Sequence, residues 1–430
     1  MIVNRAVGAV ALLLTFVWVH LVLGLLNIFA PGLPLGDVTI VYAGWAQQAY
    51  ASGVVVGVDA PWVYPVLALV PILASVTFGL ENIATVWLFI VFLVNVVALG
   101  FLTRWGRSRS GMIAGWWWAG FLIVLGPIAL ARIDTITVAL AIVGVRLLQS
   151  QPQTAGIVLA CATWIKVWPA ALLLAAVIAL RARGKMVIAA AATSATIAVF
   201  ALLAGAEWNV LSFVTQQTGR GVQIESPVAG IWLWQIVAGV PDTFIYYDAQ
   251  ILTFQVAGAG VQLAAAAVTP LLGFIVLVIA LLGVRQVHSG VAASRVLPLL
   301  SLALVVALIV VNKVGSPQFI SWLAVPIVLG LLAGKVHGVP SFRAPAALAF
   351  VIAALTHSIY PYLYHLLLAA NPTMITLVSV RNLLLIVLLV WAIVGLVRLT
   401  PELPVSRSRP PGNAVGGATP TISSRAKELS

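Results

Sequence analysis

Long apolar runs, separated by short polar breaks, set the pattern of this chain. About twelve runs stand out, near residues 7–29, 64–79, 84–103, 111–130, 135–149, 154–180, 186–205, 255–284, 296–312, 319–334, 344–360 and 376–398. A bilayer core needs about 20 apolar residues per helical crossing. The pattern therefore predicts an all-α polytopic membrane protein, a bundle of about twelve transmembrane helices over residues 1–400. One stretch has a different texture. Val38 to Ser52 mixes apolar residues with Tyr42, Trp45, Gln47, Gln48 and Tyr50, which predicts an amphipathic helix on the membrane surface in the first outer loop. The segment 401–430 is rich in Pro, Gly, Ser and Thr and has little to bury, so a disordered cytoplasmic tail is expected there.

Composition sharpens this picture. Hydrophobic residues make up 63% of the 430 positions and charged residues 7%, against about 25% charged in a soluble domain. A water-soluble enzyme, a disordered chain and a disulfide scaffold are excluded. The single cysteine, Cys161, can form no internal disulfide. The first apolar run is too long for a signal-peptide core and is expected to be an uncleaved first span.

The net charge of +12 would suggest nucleic acid in a soluble protein. Here the basic residues cluster between apolar runs, as the positive-inside rule requires, and no nucleic-acid partner is expected. With both termini cytoplasmic, the clusters Arg181, Arg183 and Lys185, then Arg285 and Arg295, then Lys335 and Arg343, and finally Arg398, Arg407 and Arg409 all fall inside. The loop with Arg104, Arg107 and Arg109 breaks the rule, since the count puts it outside.

The acidic residues carry the candidate chemistry. Six of the ten fall in two outer loops: Asp37 and Asp59 in the first, and Glu207, Glu225, Asp242 and Asp248 in the second. A membrane enzyme with a lipid donor needs its base near the interface, whereas a transporter or flippase places ionisable groups near mid-bilayer. Asp37 opens the amphipathic stretch, where the helix dipole would keep it ionised. It suits a general base, and it equally suits an N-cap. Asp59 and Tyr64 flank the entry to the second run and are either substrate contacts or interfacial anchors. Arg132 and Asp134 are expected to form a structural ion pair on the inner side. Lys166, three residues before Pro169, lies deep in an apolar run and must snorkel, pair or line a cavity.

Two loop motifs add cations and polar groups. In QQTGRGVQIES, Arg220 stands between two glycines and could hold a phosphate or pair with Glu225; Gln223 lies between them. In NKVGSPQ, Lys313, Ser316 and Gln318 gather on irregular backbone at the membrane edge. No nucleotide, zinc or hydrolase motif is present, and the histidines lack metal-ligand spacing.

Taken together, these motifs resemble glycosyltransferase family 87. Asp37 after the first span, an aromatic surface segment, Tyr64-Pro65, the stretch LARIDTITVALAIVGV, the lysine-containing AGIVLACATWIKVWPAALLLA, RGVQIES and NKVGSPQFISWL carry the likeness, over residues 30–335. The resemblance implies a GT-C-like bundle in the cell membrane, active on the periplasmic face. It implies inverting transfer of a sugar, such as mannose, from a polyprenyl-phosphate donor to a glycolipid or glycan acceptor. It assigns the base to Asp37. A donor-phosphate role for Arg220, Lys313 and Lys166 follows from their charge, with Asp59, Tyr64, Gln223, Glu225, Ser316 and Gln318 as further substrate contacts. No cofactor is expected and a divalent metal is left open. Arg132 and Asp134 depart from the family's Gln and Asn, and SPQF lacks a histidine that many relatives carry.

Overall fold

The computed structural model describes residues 2–216, 219–249, 251–334 and 340–401. Lys335, His337, Arg407, Arg409 and the expected disordered tail beyond Pro401 lie outside the described residues. Helices dominate because a bilayer offers backbone amides no partner, so each apolar segment must satisfy its own. In chain order they are α1 (Ile2–Phe29), α2 (Ala43–Ser52), α3 (Leu69–Ser75), α4 (Ile83–Thr103), α5 (Arg109–Leu125), α6 (Ile133–Leu147), α7 (Pro152–Ile165), α8 (Ala170–Ala179) and α9 (Arg183–Leu203). Next come α10 (Ser212–Thr215), α11 (Gly230–Val237) and the strands β1 (Phe244–Asp248) and β2 (Thr253–Ala257). The chain ends with α12 (Val261–His288), α13 (Ala293–Val310), α14 (Ala324–Ala333), α15 (Arg343–His357), α16 (Tyr364–Leu368) and α17 (Pro372–Val397).

Seven helical stretches among the described residues are long and apolar enough to cross a membrane, among them Ala6–Phe29, Leu80–Thr103, Val261–His288 and Pro372–Val397. Shorter apolar helices stand between them. The protein is a polytopic helical membrane protein. Its centre is α13, of whose apolar window 78% is buried, against 11% for α9 and 17% for α12. Small residues let neighbours close in. A side chain at Gly156 would strike the Met186 carbonyl, and one at Gly111 the Leu102 carbonyl.

The bundle has two distinguishable ends. Asn27, in the last turn of α1, donates to the Pro127 carbonyl at 3.0 Å, and Arg132 reaches the Pro34 carbonyl at 2.7 Å. The end of α1 and the start of α6 thus share one end of the bundle with Asp37. The first half of α1 instead meets the α4–α5 turn, where Gly106 packs on the Ala9 methyl. Arg104, Arg107 and Arg109 therefore sit opposite Asp37.

Two expected spans are corrected by this arrangement. The run 64–79 folds as a 3-10 turn, Val66–Ala68, followed by the seven-residue α3. At 1.5 Å per residue α3 spans about 10 Å, too short to cross. The run 154–180 is two helices, α7 and α8, broken at Lys166 to Pro169. One span is lost and one gained, so only the segments between them change ends. The Arg104–Arg109 loop leaves the Asp37 end, and Arg132 and Asp134 join it, contrary to the inner position expected from counting runs.

The amphipathic segment is helical as expected, with Val38, Tyr42 and Ala46 forming its buried face. Unforeseen was the hairpin β1–β2, antiparallel with Phe244 opposite Ala257 and Asp248 opposite Thr253. Its second strand takes the start of the run read as 255–284, and α12 begins only at Val261.

With Cys161 replaced by alanine, single cysteines at Gly36 and at Arg107 should react with an impermeant maleimide from opposite sides of sealed vesicles. Labelling of both from one side would contradict the two-ended bundle.

Candidate functional site

The site is built where short helices end. The stretch α5 to α8 comprises helices of 17, 15, 14 and 10 residues. These are about 26, 23, 21 and 15 Å long, while α1 runs 28 residues. The irregular backbone between the short helices brings polar groups together inside the protein, which is where membrane proteins tolerate it.

Asp37 is the first residue of a π-helical turn, Asp37–Tyr42. No side chain caps this turn, so the N-cap reading of Asp37 does not hold. Its carboxylate instead takes Arg132 Nε at 2.9 Å and is 35% exposed. Arg132 is itself buried and fully engaged. It donates to the carbonyls of Pro34 and Ala131, at 2.7 and 2.9 Å, and to the Tyr360 hydroxyl at 2.8 Å. The guanidinium fork so fixed presents one edge to Asp37.

Asp134 faces another way. It is 1% exposed, pairs with Lys166 Nζ at 3.0 Å, and accepts from Trp322 Nε1 at 2.6 Å. The expected Arg132–Asp134 pair is thus replaced by two pairs with distant partners. The reason is local: Arg132 is extended (φ −140°, ψ 156°) while Ile133 begins α6, so the two charges project differently. Lys166 does not snorkel. It lies 4.9 Å from the Tyr64 ring centre and 5.6 Å from that of Phe319. Trp168 stacks on Trp322 at 5.3 Å and donates to Thr137, holding the break between α7 and α8.

Tyr64 belongs to this aromatic wall, with Trp45 and Trp62 at 5.8 and 5.4 Å between ring centres. Burial raises the pKa of its phenol, so it stays protonated and can donate. Asp59 stands apart: it is exposed and accepts from Val55 N–H at 2.7 Å, closing its own turn.

The two loop motifs meet. Gln223 N–H donates to the Lys313 carbonyl at 2.9 Å, and Ser316 Oγ reaches Gln223 Oε1 at 3.4 Å. Gly315 lies so close to Ser226 that a side chain there would strike its backbone. Gln318 sits in the following 3-10 turn, its carbonyl accepting from Ser321 at 2.7 Å. Val222 and Ile224 continue the hairpin, through Val256 N–H to Val222 O at 3.0 Å and Ile224 N–H to Phe254 O at 3.3 Å.

Arg220 is electrostatically coupled to Tyr64, Asp248 and Lys313. Burial weakens its hold on the proton, although Tyr64 and Asp248 oppose this. Lys313 is pushed below the usual lysine value by burial and by the neighbouring Arg220 charge. Glu225 does not pair with Arg220. Arg381, in α17, takes its carboxylate at 2.6 Å and its carbonyl at 2.8 Å, with Asn382 alongside. Burial raises the pKa of Glu225 and the Arg381 charge opposes it.

Sequence reasoning missed Arg381, Tyr360, Trp322 and Tyr42, whose hydroxyl accepts from Ile133 N–H at 3.2 Å. Arg381 carried a legible signal, a lone charge inside an apolar run. The aromatic residues carried none.

Among the described residues, Asp37 is thus the half-exposed carboxylate oriented by an arginine, whereas Asp134 and Glu225 are buried and paired and Asp248, also partly exposed, accepts from Gln255. No family model matches the sequence, and no curated protein matches it.

Lys166→Ala should cost about 3–5 kcal/mol of stability by leaving Asp134 buried and unpaired. The double variant Asp134→Asn, Lys166→Met should recover most of that loss in detergent unfolding. Equal losses for the two would contradict a buried pair.

Proposed function

We propose that the protein is a membrane glycosyltransferase that moves a sugar, such as mannose, from a polyprenyl-phosphate donor to a cell-envelope glycolipid or glycan acceptor. The termini are placed in the cytoplasm and the Asp37 end outside. Basic loops at 104–109, 181–185 and 285–295 then all lie inside, which the positive-inside rule favours. The chain would cross about twelve times if the short helices count as crossings.

The observation that carries the reading is Asp37: a half-exposed carboxylate with one oxygen held by a locked arginine. Asp37 takes the proton of an acceptor hydroxyl. The hydroxyl oxygen bonds to the anomeric carbon as the bond from that carbon to the phosphate oxygen breaks. Polyprenyl phosphate leaves from the opposite face, so configuration inverts. The leaving phosphate gains charge, which Arg220 and Lys313 can compensate. Lys166 is already neutralised by Asp134, so its part is to hold the Tyr64 side of the site. Asp59, turned into its own loop, and Glu225, committed to Arg381, are given no direct substrate contact.

A carrier or flippase for lipid-linked sugars is the rival reading, favoured by the helix break beside Lys166. Membranes given radiolabelled polyprenyl-phosphate sugar separate the two: a glycosylated product supports transfer, and unchanged lipid reaching the other leaflet supports transport.

Asp37→Asn should lower transfer by about 10²–10⁴-fold. The protein should remain folded, because Arg132 keeps its three other acceptors. Retained activity would remove the base assignment. Because Lys313 loses its proton below the ordinary lysine value of 10.5, donor KM should begin to rise at lower pH than for an unperturbed lysine. Lys313→Arg should move that alkaline limb upward. An unmoved limb would separate Lys313 from the donor phosphate.

A further inference from the structure

A cavity lies at the end of the bundle away from Asp37. The helix α8 begins just after Lys166, among the site residues, and runs to this opposite end, where the chain turns into α9. There a space of about 580 Å³ opens between α8, α9 and α12. Its volume falls in the range of about 300–1,000 Å³ common to ligand sites. Val177, Val187, Val284 and Val287 wall it, and Arg183 and His288 stand at its mouth.

The packing explains why the space exists. Gly283 lets α12 close on α8, where a side chain would come within 3.3 Å of Ile178. Beyond that contact α9 is held on α7, where Gly156 meets the Met186 backbone, and so stands off α12. Both α9 and α12 are among the least buried of the long apolar helices, so the gap between them faces the surrounding lipid.

Charge then selects the occupant. Arg183 donates through one nitrogen to the Val177 carbonyl at 2.9 Å and keeps further donors. His288 Nδ1 lies 2.9 Å from the Val284 carbonyl, which can only accept, so Nδ1 donates; on protonation of the ring Nε2 becomes a second donor, able to bind an anion. Arg181, Lys185 and Arg285 are close neighbours in the chain, and all three are exposed. No Asp or Glu occurs in residues 135–206 or 249–401, which contain the three helices lining the mouth. These cations have no acid nearby in their own segments to neutralise them. An apolar cavity open to lipid beneath such a mouth matches an amphiphile with an anionic head.

We propose that this cavity binds an anionic phospholipid, its phosphate at Arg183 and His288 and an acyl chain along the four valines. The inference is independent of the glycosyl-transfer reading. The test is native mass spectrometry of the full chain in detergent, with phosphatidylglycerol or phosphatidylcholine of the same acyl chains. Wild type should retain phosphatidylglycerol at least about fivefold better, a difference of about 1 kcal/mol. Arg183→Gln with His288→Gln should erase that preference, and Val284→Trp, which fills the cavity without touching charge, should lower retention on its own. Equal retention of the two lipids by wild type, or undiminished phosphatidylglycerol on both variants, would overturn the proposal. So would retention of polyprenyl phosphate in place of phosphatidylglycerol.

Discussion

Two opposite charges, Arg132 and Asp134, enter the bundle one residue apart, and neither can be left alone there. An unpaired buried charge is costly, and pairing removes that cost only when partners sit at good distance and remaining donors are filled. Arg132 finds Asp37 beyond α1, and Asp134 finds Lys166 at the end of α7. The start of α6 is therefore tied to two segments far away in sequence. The further bonds of Arg132 to Pro34 and Tyr360, and of Asp134 to Trp322, extend the tie to the 3-10 turn before α14 and to the turn after α15. Four other parts of the chain converge on the start of α6 because two charges must be satisfied.

This constraint separates what is chemically available from what is structural. Asp134 and Glu225 are consumed by Lys166 and Arg381, and Asp59 by its own turn. Asp37 alone among these carboxylates keeps substantial exposure while being oriented by a cation. On the neighbouring loops, Arg220 and Lys313 are electrostatically coupled, and burial lowers the pKa of each. The far end of the bundle has a different character, with basic loops and acid-free segments around an apolar cavity.

Much of this was legible in the sequence, and its failures were physical rather than random. Apolar runs identified a helical membrane bundle, Asp37 at the head of an amphipathic helix, and a special backbone at Lys166-Val-Trp-Pro169. Hydropathy measures apolarity, however, and not continuity. It therefore could not distinguish a ten-residue turn and helix at 66–75 from a span, or two helices from one across 154–180. The two errors changed the ends assigned to everything between them, the Arg104 to Arg109 loop included. Pairing was beyond reach for another reason. Arg132 was read with its neighbour Asp134 because proximity in sequence was the only proximity available, whereas their partners lie on other helices. The second strand, Thr253–Ala257, was hidden because its end merged with the run read as 255–284, and its partner Phe244–Asp248 fell in no apolar run.

The most direct test of the central claim is a cryo-electron-microscopy structure with a non-cleavable polyprenyl-phosphonate sugar. The account predicts the phosphonate within about 4 Å of Arg220 and Lys313, and the anomeric carbon facing the open oxygen of Asp37. A sugar bound away from Asp37, with its phosphonate outside the reach of both cations, would contradict it.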